Sequence, residues 1–337
     1  MLDVLLEPSN PCLPVGRQGP FEPVRKLSSK VVKRDDSMLT DYQKAAQGLI
    51  QGKMLFNAPL KRYTSMKVGG PVDALLFPTD VDELRRLVHQ AREKSIPLLM
   101  LGKGTNLIVK DQGVRGWAIS LTRGLRRIRR DGEQVEAEAG TLLQRLVQFS
   151  ARRNLTGFEP FTGIPGTVGG GLTMNAGAWG SELKDLTLSV TLMDRDGKIV
   201  EKPRSKLQFS YRGFVLPRGS IVLKAQFQLK RGDGEEIRER IKSYSERRRK
   251  TQPLDHPSAG SIFKNPENTR AGKVIDETGL KGFRIGQAMI SERHGNFIIN
   301  LGKATAKEIL QLMEWVEKNV YEKKGISLER EVKVVGE

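Results

Sequence analysis

The chain has almost no cysteine and little histidine. Cys12 is the single thiol among 337 residues, so no internal disulfide can form, which suits a reducing compartment. The three histidines are far apart and, with one cysteine, offer no recognisable zinc spacing. Long apolar runs are missing as well. The longest, residues 96–101, holds six residues, against the ~18 or more of a membrane span. Aromatic residues make up 6%. There is no zinc-finger spacing, no aromatic-and-glycine RNA signature and no basic-region zipper. Nothing repeats at a fixed period.

What remains is an ordinary folding chain. Hydrophobic residues make up 38%, and 35 glycines accompany them, a total typical of a globular protein with a sizeable core. The length predicts roughly two domains of about 150 residues, with room for a third. Lys and Arg number 57 against 39 acids, a net charge of +18. That field attracts polyanions: nucleic acid, anionic lipid or small phosphate-bearing substrates. The basic residues are spread between apolar-patterned segments rather than gathered in one arm, so charge alone leaves these partners open.

Residues 1–37 differ from the rest. Pro8, Pro11, Pro14, Pro20 and Pro23 interrupt any helix, and no period of 2 or 3.6 survives. They read as a disordered leader, with Met38 as an alternative start. A helical pattern then covers residues 39–50. Thr79 is expected to cap a helix whose buried stripe is Val81, Leu84, Leu87, Val88 and Ala91. A buried strand over 96–101 runs into the glycine loop 102–106, and a second strand follows at 107–109. Thr141 opens a helix with Leu142, Leu146, Val147 and Ser150 on one side. Strands are expected at 186–194, 198–203 and 220–229, and a helix at 235–249 with Ile237, Ile241 and Tyr244 inward. Thr305 caps a final helix that Gly325 stops, and a strand covers 326–335. The class is α+β, with a break near 232–234.

Two segments hold more glycine than turns require. One is Gly102-Lys103-Gly104-Thr105-Asn106. The other runs from Gly163 through Ile164, Pro165, Gly166 and Thr167 to Gly169 and Gly170, and is followed by Asn175 and Gly177. Glycine lets successive N–H groups turn toward one point and lets a ligand approach the backbone, as a diphosphate requires. Neither segment is a Rossmann fingerprint, because Leu107 stands where a third glycine belongs and a strand follows. No P-loop consensus is present. The pattern implies a phosphate-bearing cofactor held in some other way. A Cβ at Gly104 or Gly169 is expected to block a positive φ or the approach of that diphosphate.

The motifs GKGTNLIV (102–109), GIPGTVGG (163–170) and NAGAWG (175–180) resemble the FAD-binding segments of the UDP-N-acetylenolpyruvoylglucosamine reductase family. The resemblance extends through YTSMKVGGP (63–71), SYRG (210–213), AGSIFKNP (259–266), HGNFIIN (294–300) and LEREVKVVG (328–336), in the family's order. It implies an FAD-binding fold of the vanillyl-alcohol-oxidase type. Its two subdomains would cover 38–122 and 123–232, with an α+β substrate domain at 233–325 and a strand at 326–337 returning to the flavin. It also implies non-covalent FAD, NADPH as co-substrate and UDP-N-acetylglucosamine enolpyruvate as substrate. No metal, nucleic acid or membrane partner is implied, and the enzyme is expected to be a cytoplasmic bacterial monomer. In the family's reaction hydride reaches the vinyl carbon C3 and a proton goes to C2.

Carried onto this chain, the resemblance makes Ser261 the proton donor, Arg212 the partner of the substrate carboxylate and Glu331 the catalytic glutamate. Glu329 is the near rival of Glu331 in sequence. Substrate contacts are expected from Tyr211, Lys250, Lys264 and Asn265, with Asn265 and Lys250 near the diphosphate. Lys333 stands where many members have arginine. Arg212 and Ser261 are 49 positions apart, too close for the tyrosine-bearing loop of the longer family members. The chain therefore reads as the short form with a more open cleft. The rival readings are another FAD-dependent oxidase on the same scaffold and a nucleic-acid-binding protein.

Overall fold

A computed structural model describes residues 39–337. The expected leader at 1–37, the start at Met38 and the thiol of Cys12 lie outside the described residues.

Three sheets organise the chain. In the first, Lys53–Pro59 lies antiparallel to Pro71–Phe77. That strand pairs in parallel with Val114–Ile119, which pairs in parallel with Leu98–Met100 at the edge. Pro71–Phe77 is buried on both faces. Ala74 and Leu76 face one core, and Leu75 and Phe77 face another, as the two-residue period of a strand dictates. The second sheet is five-stranded and antiparallel, in the order Ile199–Pro203, Thr187–Met193, Ile221–Gln228, Gln134–Glu138 and Ile128–Asp131. One continuous core joins it to the first sheet, with Trp117 and Ile119 packed in the same cluster as Val190 and Phe227. The third sheet holds Ser258–Ser261, Phe297–Asn300, Ala288–Ile290 and Arg284–Ile285, with helices Ala271–Glu277 and Ala306–Lys324 packed on it.

Two links tie the third sheet to the first half of the chain. The Asp111 carboxylate accepts the N–H groups of Ala306 and Lys307 at 2.8 and 2.9 Å, at the start of the long C-terminal helix. The last strand, Lys333–Val335, pairs in parallel with Leu107–Val109, directly after the first glycine loop. The long helix begins as its sequence predicts. The Thr305 hydroxyl accepts from Glu308 N, the Glu308 carboxylate accepts from Thr305 N, and Gly325 ends the helix at φ 67.

Several boundaries differ from the sequence reading. The first helix is only Asp41–Ala46, because Gln47 is extended and Gly48 turns at φ 73. The helix Val81–Glu93 is capped by Asp80, whose carboxylate accepts Glu83 N, while Thr79 gives its own N–H to Glu83. The strand expected at 96–101 shrinks to Leu98–Met100, an edge strand with Leu98 and Met100 exposed. The helix expected from Thr141 starts at Leu143, with Leu143 rather than Leu142 inward. The C-terminal strand enters a sheet only at Lys333–Val335. Tyr244 is not buried in the helix stripe. It stacks on Trp179 with ring centroids 5.8 Å apart.

Candidate active site

A cavity of about 1440 Å³ opens where the three sheets meet. The glycine loop 102–106 forms one wall, between the edge strand Leu98–Met100 and the strand Leu107–Val109. Gly104 turns there at φ 60. Among the described residues, no protein acceptor takes the backbone N–H of any residue from 102 to 106. Consecutive amides without acceptors form a nest for an anion. The loop 163–170 lies across from it, held by the Thr105 hydroxyl, which donates to the Pro165 carbonyl at 3.0 Å.

The glycines divide into two kinds. A Cβ on Gly104 would stand 2.5 Å from the Tyr63 carbonyl oxygen, and one on Gly169 would stand 3.0 Å from the Ala139 Cβ. Gly104 also has the positive φ that the sequence reading allowed for, and both glycines line the cavity, so packing and a ligand can each call for a bare backbone there. A Cβ on Gly170 would meet only the Thr167 hydroxyl at 3.4 Å, and one on Gly260 nothing nearer than the Thr105 carbonyl at 3.9 Å. Both residues line the cavity. Their bare backbone faces its interior, and a large cofactor with a diphosphate fits this cradle.

Chain topology brings the three expected catalytic residues into the same cavity. Strand Ser258–Ser261 carries Ser261 at its end, after an irregular register at Gly260, which has φ 76. The C-terminal segment passes alongside it. Glu331 N donates to the Ile262 carbonyl at 2.8 Å, and the Asn106 side chain donates to the Glu331 carbonyl at 3.1 Å. Glu331 is thus clasped between the serine strand and the glycine loop. Arg212 comes from the opposite side, on a two-residue turn between Phe209–Ser210 and Gly213–Phe214. It takes φ 56, a left-handed conformation that side chains rarely adopt.

Arg212 Nε lies 3.1 Å from Glu331 Oε1. The two form an ion pair, but the buried N–H has no aligned acceptor. Burial pushes the Glu331 carboxyl above the usual carboxylate range, while the charges of Arg212 and Lys264 pull the other way. The Ser261 hydroxyl makes no hydrogen bond within the described residues. A cation, a carboxyl with a raised pKa and a hydroxyl without a partner among the described residues therefore line one cavity, where an anion can be held and a proton delivered.

The remaining expected site residues are placed less uniformly. Ile164, Pro165, Thr167, Gly177 and Lys250 line the cavity. Asn265 lines it too, although its side chain accepts from Ala271 N at 3.1 Å. Lys333 is also in the wall. Lys264 is outside the wall and ion-paired with Glu329, which is not in the wall either. Tyr211 is 45% exposed, its ring 5.1 Å from the Arg212 guanidinium. Asn175 does not reach the cavity.

The cavity also contains groups that the sequence reading passed over. Arg270, Lys273, Lys281, Arg293 and His294 all line it. Burial holds the His294 imidazole below its ordinary pKa, with the Lys281 charge adding to the shift. Arg248, only 8% exposed, gives its Nε–H to the Thr162 carbonyl at 3.2 Å, and a Cβ on Gly163 would touch its side chain. It braces the second glycine loop. Its signal was present in the sequence, because 237, 241, 244 and 248 share one helix face. A separate groove of about 680 Å³, between Leu143–Ala151 and Gly234–Thr251, holds none of the expected site residues.

Among the described residues, no helix is long and apolar enough to cross a membrane. Residues 72–202 match the FAD binding domain model, and residues 252–335 match the UDP-N-acetylenolpyruvoylglucosamine reductase C-terminal domain model. The α+β FAD-binding fold followed by a C-terminal α+β domain is therefore as the sequence implied. The UDP-N-acetylenolpyruvoylglucosamine reductase of Caldanaerobacter subterraneus is 45% identical over 290 residues, 86% of this chain and 96% of that one. The Syntrophus aciditrophicus reductase is 46% identical over 293 residues, 86% and 94% of the two chains. The crystal structure of the Thermus caldophilus reductase superposes with a TM-score of 0.74 at 39% identity, covering 85% of this chain and all of that one. Likeness of this extent, over the segments that build the cavity, makes the chain a member of the UDP-N-acetylenolpyruvoylglucosamine reductase family, an FAD-dependent oxidoreductase.

Proposed function

We propose that the enzyme reduces UDP-N-acetylglucosamine enolpyruvate to UDP-N-acetylmuramate with NADPH as electron source, in the bacterial cytoplasm. The observation that supports this best is the shared cavity: the unpaired amides of 102–106, Arg212, Ser261 and Glu331 line the same space. FAD, when bound, supplies a two-electron carrier between the nicotinamide and the vinyl carbon C3.

The protein's own residues do the rest. The amides of 102–106 and the open faces at Gly166, Gly170 and Gly260 hold the cofactor. The Arg212 guanidinium binds the enolpyruvyl carboxylate through its planar fork. Hydride arriving at C3 leaves negative charge on C2 and that carboxylate, and Arg212 stabilises it. The Ser261 hydroxyl, without a hydrogen-bond partner among the described residues, protonates C2, a carbon basic enough to take a proton from so weak an acid. Glu331 cannot remain anionic beside a second carboxylate without cost. Its raised pKa favours the protonated form, which can donate a hydrogen bond to the developing charge. Lys250 and Asn265 face the diphosphate.

The visible absorption spectrum tests this reading. The purified protein is expected to be yellow and to bleach on anaerobic addition of NADPH. The enolpyruvyl substrate, without oxygen, should then restore the colour. Colour that returns only with oxygen identifies an oxidase, and a colourless protein refutes the cofactor.

The cradle has its own test. Gly170→Leu is expected to lower FAD content at least severalfold while leaving the apoprotein's Tm within a few degrees. Leucine is a good helix former, and Gly170 sits in the helix Val168–Thr173 with open space before it. Gly104→Val should instead destabilise the apoprotein, because its Cβ meets backbone. Thermal melts and flavin absorbance read the two effects separately. Full FAD occupancy in Gly170→Leu would place the cofactor elsewhere.

A further inference from the structure

We propose that Asn175 is a positioning residue that sets the turn carrying Arg212. The inference rests on the reading of Arg212 as the carboxylate-binding group.

Asn175 is fully buried, at 0% exposure. All its side-chain bonds are internal. Its Oδ1 accepts from Lys184 N at 3.2 Å, and its Nδ2 donates to Glu182 Oε2 and to the Ser210 carbonyl, both at 3.0 Å. Both amide hydrogens and one acceptor position are therefore engaged, which fixes the orientation of the amide group. The backbone is left-handed, at φ 42, a conformation that asparagine tolerates better than most residues.

Ser210 is the last residue before the Tyr211-Arg212 turn. The stem of that hairpin is held by Phe209 stacked on Phe214 at 4.4 Å and by Arg204 over the Phe209 ring at 5.2 Å. The carbonyl that enters the turn is held by Asn175. Fixing that carbonyl fixes the peptide plane leading into Tyr211, and hence the direction from which the strained Arg212 leaves the chain. The stem pairs Ser210 with Gly213, and the Asn175 bond adds a fixed point at the carbonyl that enters the turn. A guanidinium that makes a planar two-bond contact loses it after a small rotation, so a buried amide holding the backbone two residues before Arg212 acts on the chemistry without touching it.

Asn175→Gly tests this, because glycine keeps the left-handed backbone and removes only the side chain. The FAD-loaded variant is expected to retain its flavin and its rate of reduction by NADPH. Reoxidation by the enolpyruvyl substrate should slow at least tenfold. Its alkaline pH limb should move upward, since Glu331 is faced by Arg212 and Lys264 and would lose part of the Arg212 charge. Glu182→Gln, which leaves the Ser210 bond in place, should keep both half-reactions near normal. Equal slowing of both half-reactions, or flavin lost in proportion to activity, would overturn the proposal. An unmoved pH limb would also overturn it, as would a Glu182→Gln variant as slow as Asn175→Gly. If Arg212→Lys itself leaves reoxidation unchanged, the failure belongs to the reading of Arg212.

Discussion

Ser261→Ala is expected to separate the two half-reactions. Reduction of bound FAD by NADPH should keep its normal rate. Reoxidation by UDP-N-acetylglucosamine enolpyruvate should slow by about 10²–10⁴, the contribution of a positioned acid. The asymmetry follows from where the hydroxyl stands. Ser261 ends the strand Ser258–Ser261 on the cavity wall and makes no hydrogen bond inside the described protein. It is therefore not needed to hold the fold or the glycine loops. The substitution removes one oxygen and changes no charge, so a general electrostatic effect on the cofactor is not expected. Anaerobic stopped-flow absorbance, with each half-reaction run alone, reads the two rates. Equal slowing of both, or of neither, would reassign the proton donor.

The three residues expected to be catalytic share one cavity because their motifs lie on backbone that the topology brings together. The C-terminal segment returns beside Leu107–Val109, which places Glu331 next to the glycine loop. Strand alternation would have put Glu329 on the same face as Glu331, but the segment is not yet a strand there, and Glu329 pairs instead with Lys264. Direction was less legible than identity. Motif resemblance put Asn175 among the cofactor residues, but the chain turns its side chain inward to the Arg212 hairpin. Glycine density marked loops that line the cavity, but a sequence does not show what a missing Cβ would touch. All four of Gly104, Gly169, Gly170 and Gly260 line the cavity, but only the first two also press against neighbouring protein. The run Arg247 to Lys250 showed charge without phase. Once Ile237 is known to be buried, the helix period turns Arg248 inward. The edge strand at Leu98–Met100 was expected to be buried because its residues are apolar, but its apolar surface is part of the cavity wall.

Replacing Arg212 should lower substrate turnover about as far and should also leave a signature in pH. Two charge-assisted hydrogen bonds at ~1.5–3 kcal/mol each sum to roughly 3–6 kcal/mol. At about 1.36 kcal/mol per tenfold, Arg212→Ala is expected to lower kcat/KM for the enolpyruvyl substrate by roughly 10²–10⁴. Arg212→Lys should fall between, since it keeps the charge but loses the fork. The pH signature follows from Glu331. Burial raises its pKa, Arg212 lowers it, and burial prevails. If the protonated form is the competent one, the reoxidation rate is full below that pKa and falls as pH rises through it. Removing the Arg212 charge leaves burial less opposed, so the limb in Arg212→Ala should move to higher pH. In Arg212→Lys the ammonium keeps part of the opposing charge, and the shift should be smaller. Glu331→Gln cannot ionise and retains donor N–H groups, so this limb should vanish while some rate remains. The measurement is the reoxidation rate across pH for the three variants and the parent enzyme. A limb that persists in Glu331→Gln, or moves downward in Arg212→Ala, would mean that another group titrates and that Glu331 acts as an anion to orient Arg212.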